Sequence, residues 1–192
     1  ERPVWVRANS LAQIQASVEW AGRLSLKMVL LGGEEAPLAC DLLKAHDIPV
    51  IFEPVLRLPS RRDAAYDAPL TAPESLRRAG VRFCIAGGYG DYGNERNLPY
   101  HAAMAAAYGL PREETLKAVT LYPAQIMGVA ERLGSLEPGK DASLIVTDGD
   151  PLEIGTQVEK MYLQGRAIDL GSRHKSLYSK YREKYRQKSG GK

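Results

Sequence analysis

Short apolar runs alternate with stretches of helical period along the first half of the chain. Pro3 to Ala8 (PVWVRA), Leu26 to Leu31 (LKMVLL), Ile48 to Phe52 (IPVIF) and Val81 to Ala86 (VRFCIA) each read as a strand. They are continuously apolar, as strands buried on both faces are. Ser10 offers an N-cap, and Leu11, Ile14, Val18 and Ala21 then recur at helical spacing, with Gly22 ending the helix. Ala36 to Ala45 predicts a second helix with Leu38, Leu42 and Ala45 on one face. A long polar connection from Glu53 to about Thr71 precedes a short helix, Pro73 to Arg78.

This succession of strand–helix units predicts an α/β fold with a parallel sheet and right-handed crossovers. Four units are half of an eight-unit (β/α)8 TIM barrel, and a half barrel leaves both flanks of its sheet open. A free-standing open α/β sheet is the alternative. The chain begins at Glu1 inside a strand pattern, without an initiator Met. The expectation is therefore the C-terminal part of a longer protein.

The second half is patterned differently. Gly87 to Pro99 is a Gly-rich loop, and Tyr100 to Tyr108 is helical, stopped by Gly109. Pro111 at the first helical position, with Glu113 and Glu114 in the first turn, starts a helix that runs to about Met127. Asp141 to Thr147 suits a buried strand, closed by the turn residues Asp148 to Pro151. Val158 to Leu163 reads as the next strand, and Gln164-Gly165 turns into a third. In the last helix, Ser172 to Gln187, Leu177, Tyr178, Tyr181 and Tyr185 form a stripe expected to dock on the body.

Composition adds little to this picture. The 192 residues are 44% hydrophobic and 26% charged, ordinary for a globular protein. The net charge of +3 is unevenly placed: Arg173, Lys175, Lys180, Arg182, Lys184, Arg186, Lys188 and Lys192 face only Glu183 in the tail. No nucleic-acid module accompanies that basic tail, so nucleic acid is not an expected partner. Cys40 and Cys84 each sit in an apolar pattern, as buried free thiols do. No apolar run is long enough to span a bilayer, and no signal-peptide pattern is present.

Two stretches carry a resemblance. "GSLEPGKDASLIV" followed by "DGDPL", and upstream "GLPREETLKAVTLYPAQIMGV", resemble the closing segments of the amidohydrolase superfamily, in particular its imidazolonepropionase-like members. The resemblance covers nearly all of the chain up to about Leu170. It implies the C-terminal half of a (β/α)8 barrel, strands five to eight, over residues 1–132. It implies the closing strands of a small β-sandwich over 133–170, followed by a basic helix or tail over 171–192. It also implies a hydrolase acting on non-peptide C–N bonds. The nearest relatives are often exported by bacteria, which favours a periplasmic or exported location over the cytoplasm.

The active site of such a barrel lies at the carboxyl ends of its strands. Metal-dependent members of the superfamily carry His at the ends of strands five and six and Asp at the end of strand eight. Here Arg7, Gly32 and Gly88 stand at those positions. Arginine stays protonated and glycine has no side chain, so this half supplies no metal ligand. A divalent metal such as zinc is expected only if residues upstream supply its ligands. His46 and His174 read as surface residues, whereas His101 could face the mouth.

What remains is polar. Glu53 is the best-placed carboxylate for general-base work, with Asp91 as a second. Arg7, Asn9, Tyr89, Asn97 and His101 are candidates to bind substrate. Arg7 could grip a ligand carboxylate or phosphate, or be locked by Glu34 or Asp91. Asn97 could be only a helix cap. Asp63, Tyr66 and Asp67, in "RRDAAYDAP", resemble a loop of the exported relatives and read as a folded loop tied by Asp side chains. Three functions follow: a hydrolase, a barrel that binds a small molecule or supports a subunit without hydrolysis, and a protein or membrane contact made by the tail. The expected partners are a small-molecule substrate or ligand, the missing N-terminal barrel half and, as a further option, a second copy of the chain.

Overall fold

Strand β1 (Val4–Ala8) opens the computed structural model, which describes residues 3–88 and 92–189. Helix α1 (Leu11–Arg23) starts on a capping box. Gln13 N–H donates to Ser10 Oγ, while Gln13 Oε1 accepts from Ser10 N–H, so two orphan donors of the first turn are satisfied together. Ile14, Val18 and Ala21 are its buried face, as their spacing predicts. Strand β2 (Met28–Gly32) follows, then a 3-10 turn (Ala36–Ala39) that runs into α2 (Cys40–Ala45). Next come β3 (Val50–Phe52), α3 (Ala68–Ala79) and β4 (Phe83–Ile85).

The four strands are parallel and lie in sequence order, β1-β2-β3-β4. Alternate positions face opposite sides of the sheet. Leu30, Val50, Phe52, Phe83 and Ile85 pack with Ile14, Val18, Leu43 and Leu76 in the main core. Val29, Ile51 and Cys84 form a smaller buried cluster on the other face, with Ile126. Arg7 pairs in register with Leu31, Leu31 with Ile51 and Ile51 with Cys84, so Arg7 belongs to this second face.

Several expectations are corrected. The helix face predicted from Leu38, Leu42 and Ala45 is not the buried one: Leu38 is 63% exposed, and Ala36, Ala39 and Leu43 are buried instead. The 3-10 turn advances the chain by three residues per turn before the α-period takes over, which shifts the phase. Helix α3 starts at Ala68 rather than Pro73, because Pro69 fits its first turn; Pro73 lies in its interior. The segment expected to be one helix to Met127 is two, α5 (Arg112–Val119) and α6 (Leu121–Ile126), with Pro111 at the cap. Pro123 cannot donate to the Val119 carbonyl and its ring crowds it, so the chain breaks at Thr120.

A 3-10 turn (Tyr92–Asn97) leads into α4 (Leu98–Ala107). After α6, β5 (Leu144–Thr147), β6 (Val158–Leu163) and β7 (Arg166–Ile168) form a three-stranded antiparallel sheet. The run at 144–147 is not buried: Ile145 is 50% exposed, and Met161 and Leu163 are exposed beside it. Arg132–Asp141 (2.7 Å) ties this segment to α6's end, Arg112 pairs with Asp150, and Leu152 is buried. Helix α7 (Arg173–Ser189) does not dock its stripe: Leu177, Tyr178, Tyr181 and Tyr185 are all exposed among the described residues. Cys40 and Cys84 are free thiols, Cys84 buried and Cys40 half-buried.

One charge cluster lies within α3, on its last turns. Glu74, buried, accepts from Arg77 Nε (2.7 Å) and Nη2 (3.0 Å) and from Arg78 Nε (2.6 Å). Arg77 first, and Arg78 with it, hold the Glu74 carboxyl down from 4.5 to about 2 against the opposing effect of burial. The folded value lies below the unfolded one. The contribution is therefore complete above pH 4.5 and is lost as the pH falls through about 2. Acid titration of stability in the full-length protein is expected to show that loss, and Glu74→Gln is expected to flatten it.

Candidate active site at the carboxyl edge of the parallel sheet

The strands end in polar or glycine residues on one edge of the sheet. After β1 come Asn9 and Ser10, after β2 Gly33, Glu34 and Glu35, after β3 Glu53, and after β4 Ala86, Gly87 and Gly88. Glu53 lies two residues beyond Ile51 and so shares the face of Arg7. Arg7 Nη1 donates to Glu53 Oε1, bridging across β2. Glu53 is 8% exposed, whereas the Arg7 side chain is 38% exposed. The carboxylate is thus the buried partner and the arginine the more exposed one.

Gly32, at the end of β2 on the opposite face, leaves room for Asn9 rather than for a side chain of its own. Its φ is +98°, and a Cβ there would stand 2.4 Å from Asn9 Oδ1. Asn9 therefore fills the space above β2 that a side chain at 32 would take. Asn9 Oδ1 is buried without a hydrogen-bond partner. The backbone around it is tied: Gly33 N–H donates to the Ala8 carbonyl (2.9 Å) and Glu53 N–H to that of Gly32 (3.1 Å).

Glu34 is not the partner of Arg7. It accepts from Ser60 N–H and Oγ–H, both at 2.7 Å, and pairs with Arg57. Glu35 accepts from Leu11 N–H at the start of α1 (2.6 Å) and pairs with Arg61 (3.4 Å). Arg61 in turn grips Asp63. Of the three residues in the "DAAYD" loop, only Asp63 has such a side-chain tie. Tyr66 is 74% exposed, and Asp67 caps α3 by position without a side-chain bond. A cavity of about 330 Å³ lies between this loop, the 3-10 turn at Ala36–Ala39 and α3; Glu34, Glu35 and Arg61 line its polar side.

His101, on α4, is 4% exposed, and its Nδ1 accepts from Leu56 N–H at 3.1 Å. It anchors the chain just past Glu53. In the neutral ring that bond places the proton on Nε2. Asn97 ends the 3-10 turn and stands at the N-cap of α4, with no side-chain capping bond. His46 and His174 are exposed. Tyr89 and Asp91 lie outside the described residues. Arg57 was missed at the sequence level, because its partner Glu34 is 23 residues away with no helical or strand period to link them. Glu95 was also missed; its Oε2 would be 3.4 Å from a Cβ on Gly87, at the end of β4.

No thiol nucleophile serves this edge. Burial, and then the charge of Glu53, push the Cys84 thiol up to about 12, so it stays protonated at neutral pH. Among the described residues no group of three or more His, Cys, Asp or Glu side chains could hold a metal ion.

The fold and the site edge define a parallel α/β protein with its polar groups at the carboxyl ends of the strands. The model of the amidohydrolase family matches residues 70–170, more than half of the chain. A solved amidohydrolase from Thermotoga maritima is similar over 87% of this chain and 43% of its own, at a TM-score of 0.77 and 28% identity. Amidohydrolase tasK of Hapsidospora irregularis is 36% identical over 74 residues, which are 38% of this chain and 8% of that protein. The imidazolonepropionase of Thermoplasma volcanium is 31% identical over 97 residues, 47% of this chain and 24% of the enzyme. The chain belongs to the amidohydrolase family and is imidazolonepropionase-like within it. It spans less than half the length of these relatives.

Proposed function

We propose that this chain is the C-terminal half of an amidohydrolase barrel and that the whole protein hydrolyses a non-peptide C–N bond of a small molecule. In this reading β1–β4 are barrel strands five to eight, and β5–β7 close a small β-sandwich. The carrying observation is the parallel sheet in sequence order, with Arg7 and Glu53 meeting at its carboxyl edge. The missing half comes from upstream in the same protein or from a partner chain. The exposed apolar residues Ile145, Met161 and Leu163 fit a sheet that awaits a second layer.

Hydrolysis of an amide or lactam needs a proton taken from water and one given to the leaving nitrogen. Glu53 is the group for the first task, with Arg7 fixing its orientation, and Asp91, a candidate from its place in the sequence, is the second carboxylate. Arg7, Asn9, Tyr89, Asn97 and His101 are assigned to the binding side, His101 by holding the loop after Glu53. A periplasmic or exported location, rather than a cytoplasmic one, is part of this reading. No helix among the described residues is long and apolar enough to cross a membrane.

The test is turnover of a panel of amides and lactams by the full-length protein. Glu53→Gln is expected to lower kcat/KM at least about a hundredfold, the low end of a general base's contribution. A second reading, ligand binding without hydrolysis, is favoured by one observation: the carboxylate that should act as base is engaged by Arg7. Ligand binding by calorimetry with no turnover across the panel would select it.

A further inference from the structure

We propose that the Arg7 guanidinium is a built-in cation standing where the family fold places a divalent metal, and that the mouth of the intact protein is metal-free. The inference rests on taking β1–β4 as barrel strands five to eight. Three positions then decide it, and each is committed against a metal in its own way.

At the end of β1 the side chain is itself a cation. Arg7 Nη1 bonds Glu53 Oε1, so the buried negative charge of this edge already has its counter-charge. A divalent ion beside Glu53 would have to displace the guanidinium or sit against it, and like charges at that range repel strongly. At the end of β2 no ligand can be grafted. The backbone of Gly32 is left-handed and Asn9 Oδ1 fills the space of its missing side chain. At the end of β4, a Cβ on Gly88 would meet Pro54 Cγ at 3.3 Å, tighter than ordinary packing. The donor set fails as well, since the described residues bring no three metal-ligating side chains together.

The arrangement also explains why Glu53 tolerates burial. A carboxylate taken out of water is costly unless paired, and a guanidinium offers both charge and directed hydrogen bonds. A metal does the same service in a metal-dependent hydrolase, with greater charge and tighter geometry. The single charge of the guanidinium balances the single buried carboxylate and brings no Lewis-acid chemistry to this half.

The test uses the full-length protein purified without chelator, with Glu53→Gln, Arg7→Ala and the double variant. Divalent metal content by elemental analysis is expected to be near zero in the wild type and unchanged by Glu53→Gln. Arg7→Ala is expected to lower the Tm, and the double variant to recover most of the loss, because no unpaired charge is left. Millimolar methylguanidinium is expected to raise the Tm of Arg7→Ala and to leave the double variant unmoved. Should Arg7→Ala fail to fold, wild type, Glu53→Gln and Arg7→Lys still decide the matter by metal content. A stoichiometric divalent metal in the wild type, whether or not its occupancy falls in Glu53→Gln, would overturn the proposal. So would an Arg7→Ala protein as stable as wild type. The amide turnover assay is independent of these readouts, so loss of this inference leaves the hydrolase reading standing, and the reverse holds too.

Discussion

Replacing Gly134 by alanine is expected to destabilise the full-length protein by about 3 kcal/mol, the sum of a left-handed backbone and a backbone clash. The residue sits at φ +95°, where its Cβ would lie 2.8 Å from Ala124 Cβ, 2.9 Å from the Thr120 carbonyl and 3.0 Å from Leu121 Cα. Two of these three atoms are backbone of the break between α5 and α6, and they cannot rotate away. Gly139 supplies the control. It has a similar φ of +91° but nothing within 4 Å of its Cβ. Gly139→Ala is therefore expected to cost only the conformational part, about 1 kcal/mol. Urea unfolding of both variants compares them. Equal costs would mean that the approach of residue 134 to α6 does not hold the β5–β7 segment to the body.

Truncation of Phe52 to alanine is expected to cost about 4 kcal/mol, in the range for an aromatic removed from a filled core. Phe52 is fully buried and pairs in register with Gly32 on one side and Ile85 on the other. It also immediately precedes Glu53, so its loss loosens the residue that sets the carboxylate against Arg7. Phe52→Leu keeps most of the volume and is expected to cost about 1 kcal/mol. Denaturant unfolding reads the stability. A loss below about 1 kcal/mol for Phe52→Ala would place Phe52 outside a packed core.

Much of this arrangement is legible in the sequence, for physical reasons that differ by element. β2, β3 and β4 show because burial on both faces makes their residues continuously apolar, whereas β1 is apolar but half exposed, with Trp5 in the open; Ser10 shows because a cap has few chemical solutions. The helix after β2 misleads because a 3-10 turn changes the period inside one apolar pattern, so Leu38 is read as core and Leu43 is not. Thr120 misleads because Pro123 acts four residues upstream of itself. The stripe of Leu177, Tyr178, Tyr181 and Tyr185 has the period of a docked helix, yet period says only that a face exists and not what covers it.

The site follows the same division. Arg7 and Glu53 are each legible as residues at strand ends. Their pairing is not, because it spans 46 positions and depends on the registers of β1 on β2 and β2 on β3. Glu34, the nearer candidate partner in sequence, is taken by Arg57 and Ser60, which no period connects to it. The clash that seals Gly32 with Asn9 is likewise a matter of three-dimensional placement, although both residues stand in plain view in "RAN" and "LGG".

The half-barrel reading is tested most directly at the two edges of the parallel sheet. Val4 N–H donates to Lys27 and the Ala8 carbonyl accepts from Gly33, so the Trp5 N–H between them points away from β2. Ala86 N–H donates to Phe52 and the Arg82 carbonyl accepts from Val50, so those of Phe83 and Ile85 point away from β3. Residue-resolved amide hydrogen exchange on the full-length protein is the measurement. If upstream strands close the barrel, the amides of Trp5, Phe83 and Ile85 exchange as slowly as those of Val29 and Val50 in the interior strands. Exchange of all three at the rate of exposed loop amides would mean that the sheet ends where this chain ends it, and would contradict the barrel.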